Sequence, residues 1–253
     1  MAGASKMTPL ARYALRLGDD ALVLGQRLGE WCGKAPALEI DLALANLGLD
    51  LIGQATLLLG YAGEAEGAGR DADQLAFHRD VMDFSNCLLV EQPNGDFART
   101  IARQFLFSAW RLPLFQALSA SADAALAAVA KKAVKETAYH LRFSREWVIR
   151  LGAGTDESRR RMTDGLDWCW RFVDEMFGPD EVTAALGGIA PDPATLRPAF
   201  DGEIDRALAE AGLPRPPARR AVVGGRVGRH SEHLGHLLAE MQFLPRAYPE
   251  AKW

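Results

Sequence analysis

The chain has 253 residues, 49% of them hydrophobic, so it can bury a sizeable core as one large domain, although length alone would also allow two. Its formal net charge of −4 argues against nucleic acid as the main partner, because phosphate binding is driven by concentrated lysine and arginine. Three widely separated cysteines fit a reducing compartment better than a disulfide scaffold.

No membrane or secretion signal is evident in the sequence. Residues 1–10 lack the basic-then-apolar pattern of a signal peptide, and the longest uncharged run, residues 51–63, is too short to span a bilayer. We therefore expect a cytoplasmic protein with no membrane partner.

The first two predicted helices are long and apolar. Apolar residues at alternating spacings of four and three predict the first helix. Gly33 and Pro36 are expected to end this helix. Residues 38–61 are apolar on most of their circumference, which predicts the central helix of the fold. The apolar seam of the first helix comprises Leu10, Ala14, Leu17, Ala21, Leu24, Leu28 and Trp31. The second helix carries one polar stripe, which comprises Asn46, Asp50, Gly53 and Gln54.

Further helices follow in chain order. A short helical piece over residues 74–90 leads to the turn 92–95, after which Asp96 lies near the start of a third long helix that runs to about Ala120. A fourth helix spans about residues 124–151, and Thr155 or Asp156 can cap a fifth that ends near Phe177. The inward seam of the fourth helix comprises Leu126, Ala130, Ala133, Thr137, His140, Ser144, Trp147 and Leu151.

The C-terminal third is more irregular. Smaller helices are predicted over residues 180–186 and 193–211, and the glycine- and proline-rich stretch 213–228 leads to a last helix that starts near Ser231. Sustained period-two alternation and internal repeats are both absent from the sequence. The predicted fold class is therefore all-α.

Glu136 and His140 are one residue out of step with a Glu-x-x-His pair. Helical bundles that bind two iron ions use two such pairs and two further carboxylates. In this sequence no acidic residue has a histidine three positions on, and Asp50-x-x-Gly53 stands where the second pair would be sought. The favoured interpretation is a buried polar network of Asp50, Glu136 and His140 with cations such as Lys132 or Arg103.

Two C-terminal motifs also bear on chemistry. His230, His233 and His236 are spaced three apart, but the three rings spread over about 120° of a helix, so a partner-facing or capping role is favoured over a metal site. Residues 224–231 combine glycines, two arginines and a helix start. This loop fits an anion or partner contact as well as it fits a glycine-rich turn with solvated arginines.

Five separated strings, spread over nearly the whole chain, resemble one family. They are Glu30-Trp31-Cys32-Gly33, residues 38–50, residues 90–95, residues 139–144 and Glu232-His233-Leu234-Gly235. Together these strings resemble the C subunits of bacterial phenylacetyl-CoA epoxidases, multicomponent monooxygenases of aerobic phenylacetate breakdown.

The resemblance implies a single ferritin-like helical domain over residues 1–253, without an intact di-iron site. In such complexes the C subunit is regarded as structural and supports a related A subunit, which carries the di-iron centre and inserts oxygen. A small B subunit bridges the pairs, and a reductase with FAD and an iron–sulfur cluster brings electrons from NADPH. This chain itself is then expected to contribute no catalytic residue, no metal ligand and no cofactor.

The resemblance also implies contact with the phenylacetyl-CoA substrate. The implied substrate-binding residues are Asp83, Phe84, Ser85 and Asn86 in one stretch and Ala184, Ala185 and Leu186 in a second. Asp83 departs from the family pattern, where a neutral glutamine is usual, and its carboxylate would repel phosphate. Ordinary helix packing is the alternative for both stretches.

Two other functions stay open on sequence grounds. The first is an independent metalloenzyme that uses Glu136 and His140, or the histidines of residues 230–236. The second is a stand-alone helical interaction module. Metal content separates the metalloenzyme from the epoxidase subunit, and the choice of partner separates the interaction module from it.

Overall fold

The computed structural model describes residues 7–251, and within this range it contains helices, turns and loops but no strand. The predicted all-α class is therefore confirmed. The α-helices are α1 (Pro9–Gly29), α2 (Leu38–Glu66), α3 (Ala72–Phe77), α4 (Leu88–Glu91), α5 (Phe97–Leu118), α6 (Ala124–Gly152), α7 (Asp156–Trp170), α8 (Glu181–Ala184), α9 (Arg197–Ala211), α10 (Glu232–Met241) and α11 (Phe243–Ala247). Short 3₁₀ turns cover Val81–Asp83, Asp174–Phe177, Pro193–Leu196 and Gly225–Val227.

Four long helices form the expected ferritin-like bundle of two antiparallel pairs. Helix α1 packs along α2, with Gly18 beside Leu59 and Gly25 beside Gly48, and α5 packs along α6. Helices α7 and α9 cover the α5–α6 pair. A single connected apolar core links these elements, which gives the bundle a continuous interior.

The central helix is α1, so the prediction that residues 38–61 form it is wrong. Helix α1 is buried on nearly its whole circumference, including the charged residues Arg16, Asp19, Asp20 and Arg27. Helix α2 instead buries one face against α1 and leaves leucines on its other face exposed. Apolar composition alone does not reveal which face the chain itself covers, and buried ion pairs make a central helix look amphipathic.

Helix α2 is also long and apolar enough to cross a membrane by length and composition. The uncharged run counted from sequence is shorter because Asp41 and Asp50 interrupt the apolar stretch. Its buried face includes Ile40, Leu44 and Leu51, and packing against α1 accounts for that half of its apolar character.

Several predicted boundaries hold. Asp96 accepts a hydrogen bond from the Arg99 backbone nitrogen at 2.9 Å and caps α5, and Thr155 caps α7 in the same way through Ser158 at 3.2 Å. The α6 seam from Leu126 to Ser144 is buried as predicted, whereas Trp147 and Leu151 are only half-buried.

The predicted helix over residues 74–90 is wrong. That segment contains α3, a 3₁₀ turn, an extended stretch and α4. The helix breaks because backbone N–H groups at Ser85 and Cys87 donate to carboxylates on α1 instead of to the preceding turn. The predicted fifth helix likewise ends at Trp170, and a 3₁₀ turn continues to Phe177.

Two glycines one turn apart in α2 provide a matched test of this packing. A β-carbon on Gly63 would lie 1.9 Å from the Arg70 carbonyl oxygen, whereas one on Gly60 would meet nothing within 4 Å. We expect Gly63→Ala to lower the free energy of unfolding by about 2 kcal/mol or more through backbone overlap. Gly60→Ala should raise it by about 0.5–1 kcal/mol, since alanine favours a helix interior. Urea denaturation measures both, and equal effects would contradict the packing of residues 63 and 70.

Candidate functional site

An open cleft of about 980 Å³ runs along the N-terminal half of α1. Its other walls are the segment after α3, the segment that leads into α8, and the 3₁₀ turn near residue 226. The lining residues are Met7, Arg12, Leu15, Arg16, Arg70, Arg79, Met82, Asp83, Phe84, Ser85, Pro179, Asp180, Glu181, Val182, Arg226, Val227 and Gly228.

The structure brings part of the predicted substrate-binding set to this cleft. Asp83, Phe84 and Ser85 line it, whereas Asn86 is fully buried behind it and donates to Glu91 at 2.9 Å. The second predicted stretch does not line the cleft, although Asp180, Glu181 and Val182, just before it, do. In that stretch Ala184 and Ala185 are exposed on the surface and Leu186 is buried in the core.

Five arginines line the cleft, each paired with a carboxylate, and they differ in availability. Arg79 and Arg226 pair with buried aspartates, and Arg16 donates to Asp180 at 2.9 Å. The side chains of Arg12 and Arg70 are 40% and 37% exposed, although each also pairs with a glutamate. A bound anion would therefore meet Arg12 and Arg70 first, because their side chains are the most exposed of the five.

Asp19 and Asp20, adjacent in the middle of α1, lie buried behind the cleft and pair with two of its arginines. Asp19 accepts from the Arg79 guanidinium, from the Ser85 backbone nitrogen at 2.9 Å and from the Ser85 hydroxyl at 3.2 Å. Asp20 accepts from both terminal nitrogens of Arg226, at 3.0 and 2.9 Å, and from the Cys87 backbone nitrogen at 2.7 Å. Both aspartates are fully buried, and these donors compensate their charges.

Two further carboxylates bind the loop 224–231. The sequence fitted an anion or partner contact and a glycine-rich turn with solvated arginines equally well for this loop. Glu175 accepts from the backbone nitrogens of Gly224 and Gly225, each at 2.8 Å, and Glu91 accepts from the Ser231 backbone nitrogen at 2.6 Å. Burial raises the pKa of Glu175 above its usual value, against the opposing effect of these N–H groups. The anions that this loop meets are therefore carboxylates of the same chain.

His230 lies at the end of this loop, before α10 begins. Its Nδ1 is 2.7 Å from a Glu91 carboxylate oxygen, and its Nε2 is 2.9 Å from the Phe84 carbonyl oxygen. A carboxylate and a carbonyl oxygen both accept hydrogen bonds, so an imidazolium, in which both ring nitrogens donate, satisfies both contacts. Within residues 7–251 the histidine, cysteine and acidic side chains form no group of three or more that could hold a metal ion.

The predicted buried network of Asp50, Glu136 and His140 is present only as two separate contacts between α2 and α6, and both carboxylates are partly exposed. His140 Nε2 lies 3.0 Å from Asp50, Gln54 donates to Glu136 at 3.0 Å, and the Lys132 nitrogen lies 3.9 Å from Glu136. Arg103 does not take part, because its guanidinium donates to the Gln92 carbonyl and the Asn94 side chain.

Arg111 is the cation that occupies the bundle interior. It is 1% exposed, lies over the rings of Phe107 and Phe115, and donates to the Leu17 carbonyl at 3.1 Å and to Gln54. Burial lowers the pKa of Arg111 to about 10, so it remains charged at neutral pH. A fixed cation beside so few carboxylates does not fit a di-iron centre, which needs four carboxylates and two histidines.

The residues that organise the cleft were not predicted from the sequence. Asp19 and Asp20 fall off the apolar seam of the first helix and were assigned to no role, and Glu91 and Glu175 carried no motif. The signal available was two adjacent carboxylates in the middle of a helix that is otherwise rich in leucine and alanine. Their partners are 60 to 206 positions away in sequence, which no local pattern reveals.

The fold and interior define a helical-bundle protein of the ferritin-like class, whose apolar interior also contains buried ion pairs. The chain belongs to the family of phenylacetic acid catabolic proteins, and the sequence pattern of that family matches residues 1–253. It is 55% identical over 249 residues to the C subunit of the 1,2-phenylacetyl-CoA epoxidase of Escherichia coli strain K12, an alignment that covers 98% of this chain and 100% of that relative. The predicted family resemblance is confirmed.

Removing one aspartate of the buried pair tests the ionic cluster. Asp20→Ala leaves the buried guanidinium of Arg226 without its carboxylate and should lower the free energy of unfolding by about 3–5 kcal/mol. Asp164→Ala is the matched control, since it breaks an exposed pair with Arg160 and should cost about 0.5 kcal/mol or less. Urea denaturation measures the free energy of unfolding of both variants. Similar small losses of that free energy in the two variants would contradict the buried cluster.

The His230 environment predicts a pH dependence of stability. Burial disfavours the imidazolium, but Glu91 and the Phe84 carbonyl outweigh it and hold the pKa of His230 above its ordinary value of 6.5. A raised folded-state pKa gives stability that is fully present below that ordinary value and is lost as pH rises through the folded-state pKa.

The free energy of unfolding, measured from pH 5 to 9 against His230→Gln, should show this loss in the wild type and not in the variant. His236→Gln, at an exposed position, should keep the wild-type profile. A variant at residue 230 with an unchanged profile would refute the assignment.

Proposed function

We propose that this chain is a non-catalytic, structural subunit of a cytoplasmic 1,2-phenylacetyl-CoA epoxidase complex and that it helps to bind the CoA ester. The observation that carries the proposal is the 55% identity, over essentially the full length of both chains, to the C subunit of such an epoxidase. In the proposed complex a related A subunit holds the di-iron centre, a small B subunit bridges the pairs, and a reductase with FAD and an iron–sulfur cluster delivers electrons from NADPH.

The interior of the bundle supports a structural role. Arg111 and Gln54 lie inside the bundle, and the Asp50–His140 pair joins α2 to α6. Gln54 on α2 also connects Arg111 on α5 to Glu136 on α6, so these hydrogen bonds hold three helices together and make the bundle rigid. A rigid bundle packed beside a metal-binding bundle restrains the helices that hold the metal ligands, and such restraint preserves catalytic geometry.

The arginine-lined cleft supports a role in binding the CoA ester. Its hydrated cations, Arg12 and Arg70, suit the phosphates of coenzyme A. Met82 and Val227, 80% and 65% exposed, offer apolar surface to the less polar part of the ligand. Asp83 caps the Asp80 backbone nitrogen at 3.2 Å, so its carboxylate belongs to the turn and adds a negative charge at the cleft.

Reconstitution tests the proposed role of the chain in the complex. Purified A subunit, B subunit and reductase should form the epoxide of phenylacetyl-CoA from NADPH and O₂ only when this chain is added. The omission experiment is the control. Full epoxidation without this chain, or failure of the chain to enter any complex with those subunits, would reject the proposal.

Substitutions in the cleft test the proposed contact with the CoA ester. Arg70→Ala should raise the KM for phenylacetyl-CoA about tenfold with kcat unchanged, since a lost charge-assisted hydrogen bond to a phosphate is worth about 1.5 kcal/mol. Asp83→Asn should lower the KM severalfold because it removes a repelling charge. Arg219→Ala, which breaks an exposed pair with Asp167 outside the cleft, is the control and should leave the KM unchanged. An unchanged KM in the Arg70 and Asp83 variants would assign the cleft another role.

A further inference from the structure

A second, smaller cavity lies beside the arginine-lined cleft. Its volume is about 320 Å³, and its walls come from α1, α5, the segments before α8 and α9, and the loop before α10. The residues that line both this cavity and the cleft are Arg16, Pro179, Asp180, Arg226 and Val227. These five residues separate the two spaces, and the second space is here called the inner cavity.

Most of the wall of the inner cavity is apolar. Tyr13 and Trp110 supply two aromatic rings, and the aliphatic surface comes from Leu17, Leu114, Met176, Pro191, Pro193 and Leu196. Ligand pockets in proteins occupy about 300–1,000 Å³ and combine apolar and aromatic walls with a few polar groups that orient the ligand. The inner cavity is at the small end of that range, which favours a ligand with one ring over a nucleotide.

Two buried donors on this wall lack a hydrogen-bond partner. Tyr13 is 2% exposed, and its hydroxyl makes no hydrogen bond within residues 7–251. Burial raises the pKa of Tyr13 to about 12, so this hydroxyl keeps its proton at neutral pH. The indole nitrogen of Trp110, which is 4% exposed, is also enclosed without a partner. Because buried polar groups are nearly always hydrogen-bonded, these donors indicate that the cavity receives a group that accepts hydrogen bonds.

The charged groups on the wall are compensated, with one exception. Those held in ion pairs are Arg16, Asp174, Asp180 and Arg226. Glu175 accepts hydrogen bonds from three backbone nitrogens at 2.6–2.8 Å. The guanidinium of Arg229 is exposed and has no carboxylate partner among the described residues. The charge available to a ligand is therefore one guanidinium, a group that binds carboxylates with two parallel hydrogen bonds.

We propose that the inner cavity binds a small monocarboxylate with an aromatic or branched apolar body. The apolar walls hold the body, and the Arg229 guanidinium and the Tyr13 hydroxyl supply hydrogen bonds to the acid group. A phosphate suits the cavity less well, because its second negative charge would lie near the three carboxylates of the wall. The inference goes beyond the proposed function, since this site needs no other subunit and takes a free acid without a nucleotide.

Isothermal titration of the full-length chain with phenylacetate, the acid of the relative's thioester, tests the proposal. Phenylacetate should bind with a Kd of about 1 mM or tighter, a modest affinity for about ten non-hydrogen atoms. Phenylacetamide has the same shape without the charge. It should bind about fivefold more weakly, because it loses the ion pair with the exposed Arg229.

Variants of the two recognition groups separate this site from the cleft. Arg229→Gln should remove the preference for the acid over the amide, and Tyr13→Phe should weaken the binding of both probes about fivefold through loss of one hydrogen bond. Arg220→Gln and Tyr139→Phe, both at exposed positions outside the cavity, are the matched controls and should keep the wild-type Kd. Arg70→Ala, which changes only the cleft, should keep it as well.

Three results would overturn the proposal. The first is a folded wild-type chain that does not bind phenylacetate. The second is equal binding by the wild type, Tyr13→Phe and Arg229→Gln. The third is binding that Arg70→Ala abolishes, which would place the acid in the cleft. Epoxidation by the reconstituted complex is a separate measurement, so each of these results leaves the proposed function standing.

Discussion

The pairing of Asp19 and Asp20 with Arg79 and Arg226 is the interaction on which the rest of the structure depends. Both carboxylates lie in the middle of the most buried helix, and each binds one arginine and one backbone nitrogen from outside the four-helix core. Since a buried charge is stable only when it is paired, the segment after α3 and the loop before α10 must both return to α1. The cleft wall at residues 83–85 follows from that constraint.

A second consequence concerns the interior of the bundle. Asp20 lies 3.9 Å from Arg111, which connects through Gln54 to Glu136 and so links the cluster under the cleft to the seam between α2 and α6. The interior beside α1 thus holds a permanent cation and its hydrogen-bond partners, and these polar groups stabilise the bundle. In the proposed complex, this chain contributes through the cleft on its outside.

Periodicity was sufficient to predict the fold class, the four long helices, the caps at Asp96 and Thr155 and the inward seam of α6. These features depend on residues close in sequence, and local patterns carry that information. The burial order of α1 and α2 was not predictable in this way, because α1 hides its charges in long-range pairs and α2 exposes leucines that an isolated chain leaves uncovered.

The cleft shows the same difference between features that the sequence predicts and features that only tertiary packing decides. Family resemblance located Asp83, Phe84 and Ser85, which the structure places along the cleft. The arginines that accompany them come from four separate parts of the chain, and Asn86 turns inward to Glu91 because a buried carboxylate there needs a donor. Arg103 and Arg111 are eight residues apart on the same helix, and only tertiary packing decides which one reaches the α2–α6 seam.

Iron analysis of the purified chain, alone and in complex with the proposed A subunit, tests the central proposal that this bundle supports chemistry performed elsewhere. After expression with added iron, the account predicts less than about one tenth of an equivalent in the isolated chain, since its interior lacks the ligand set that metal binding requires. The complex should contain about two irons per pair of bundles, the number that a di-iron protein holds. Two irons bound by the isolated chain, and lost on substitution of Glu136 or His140, would contradict the account.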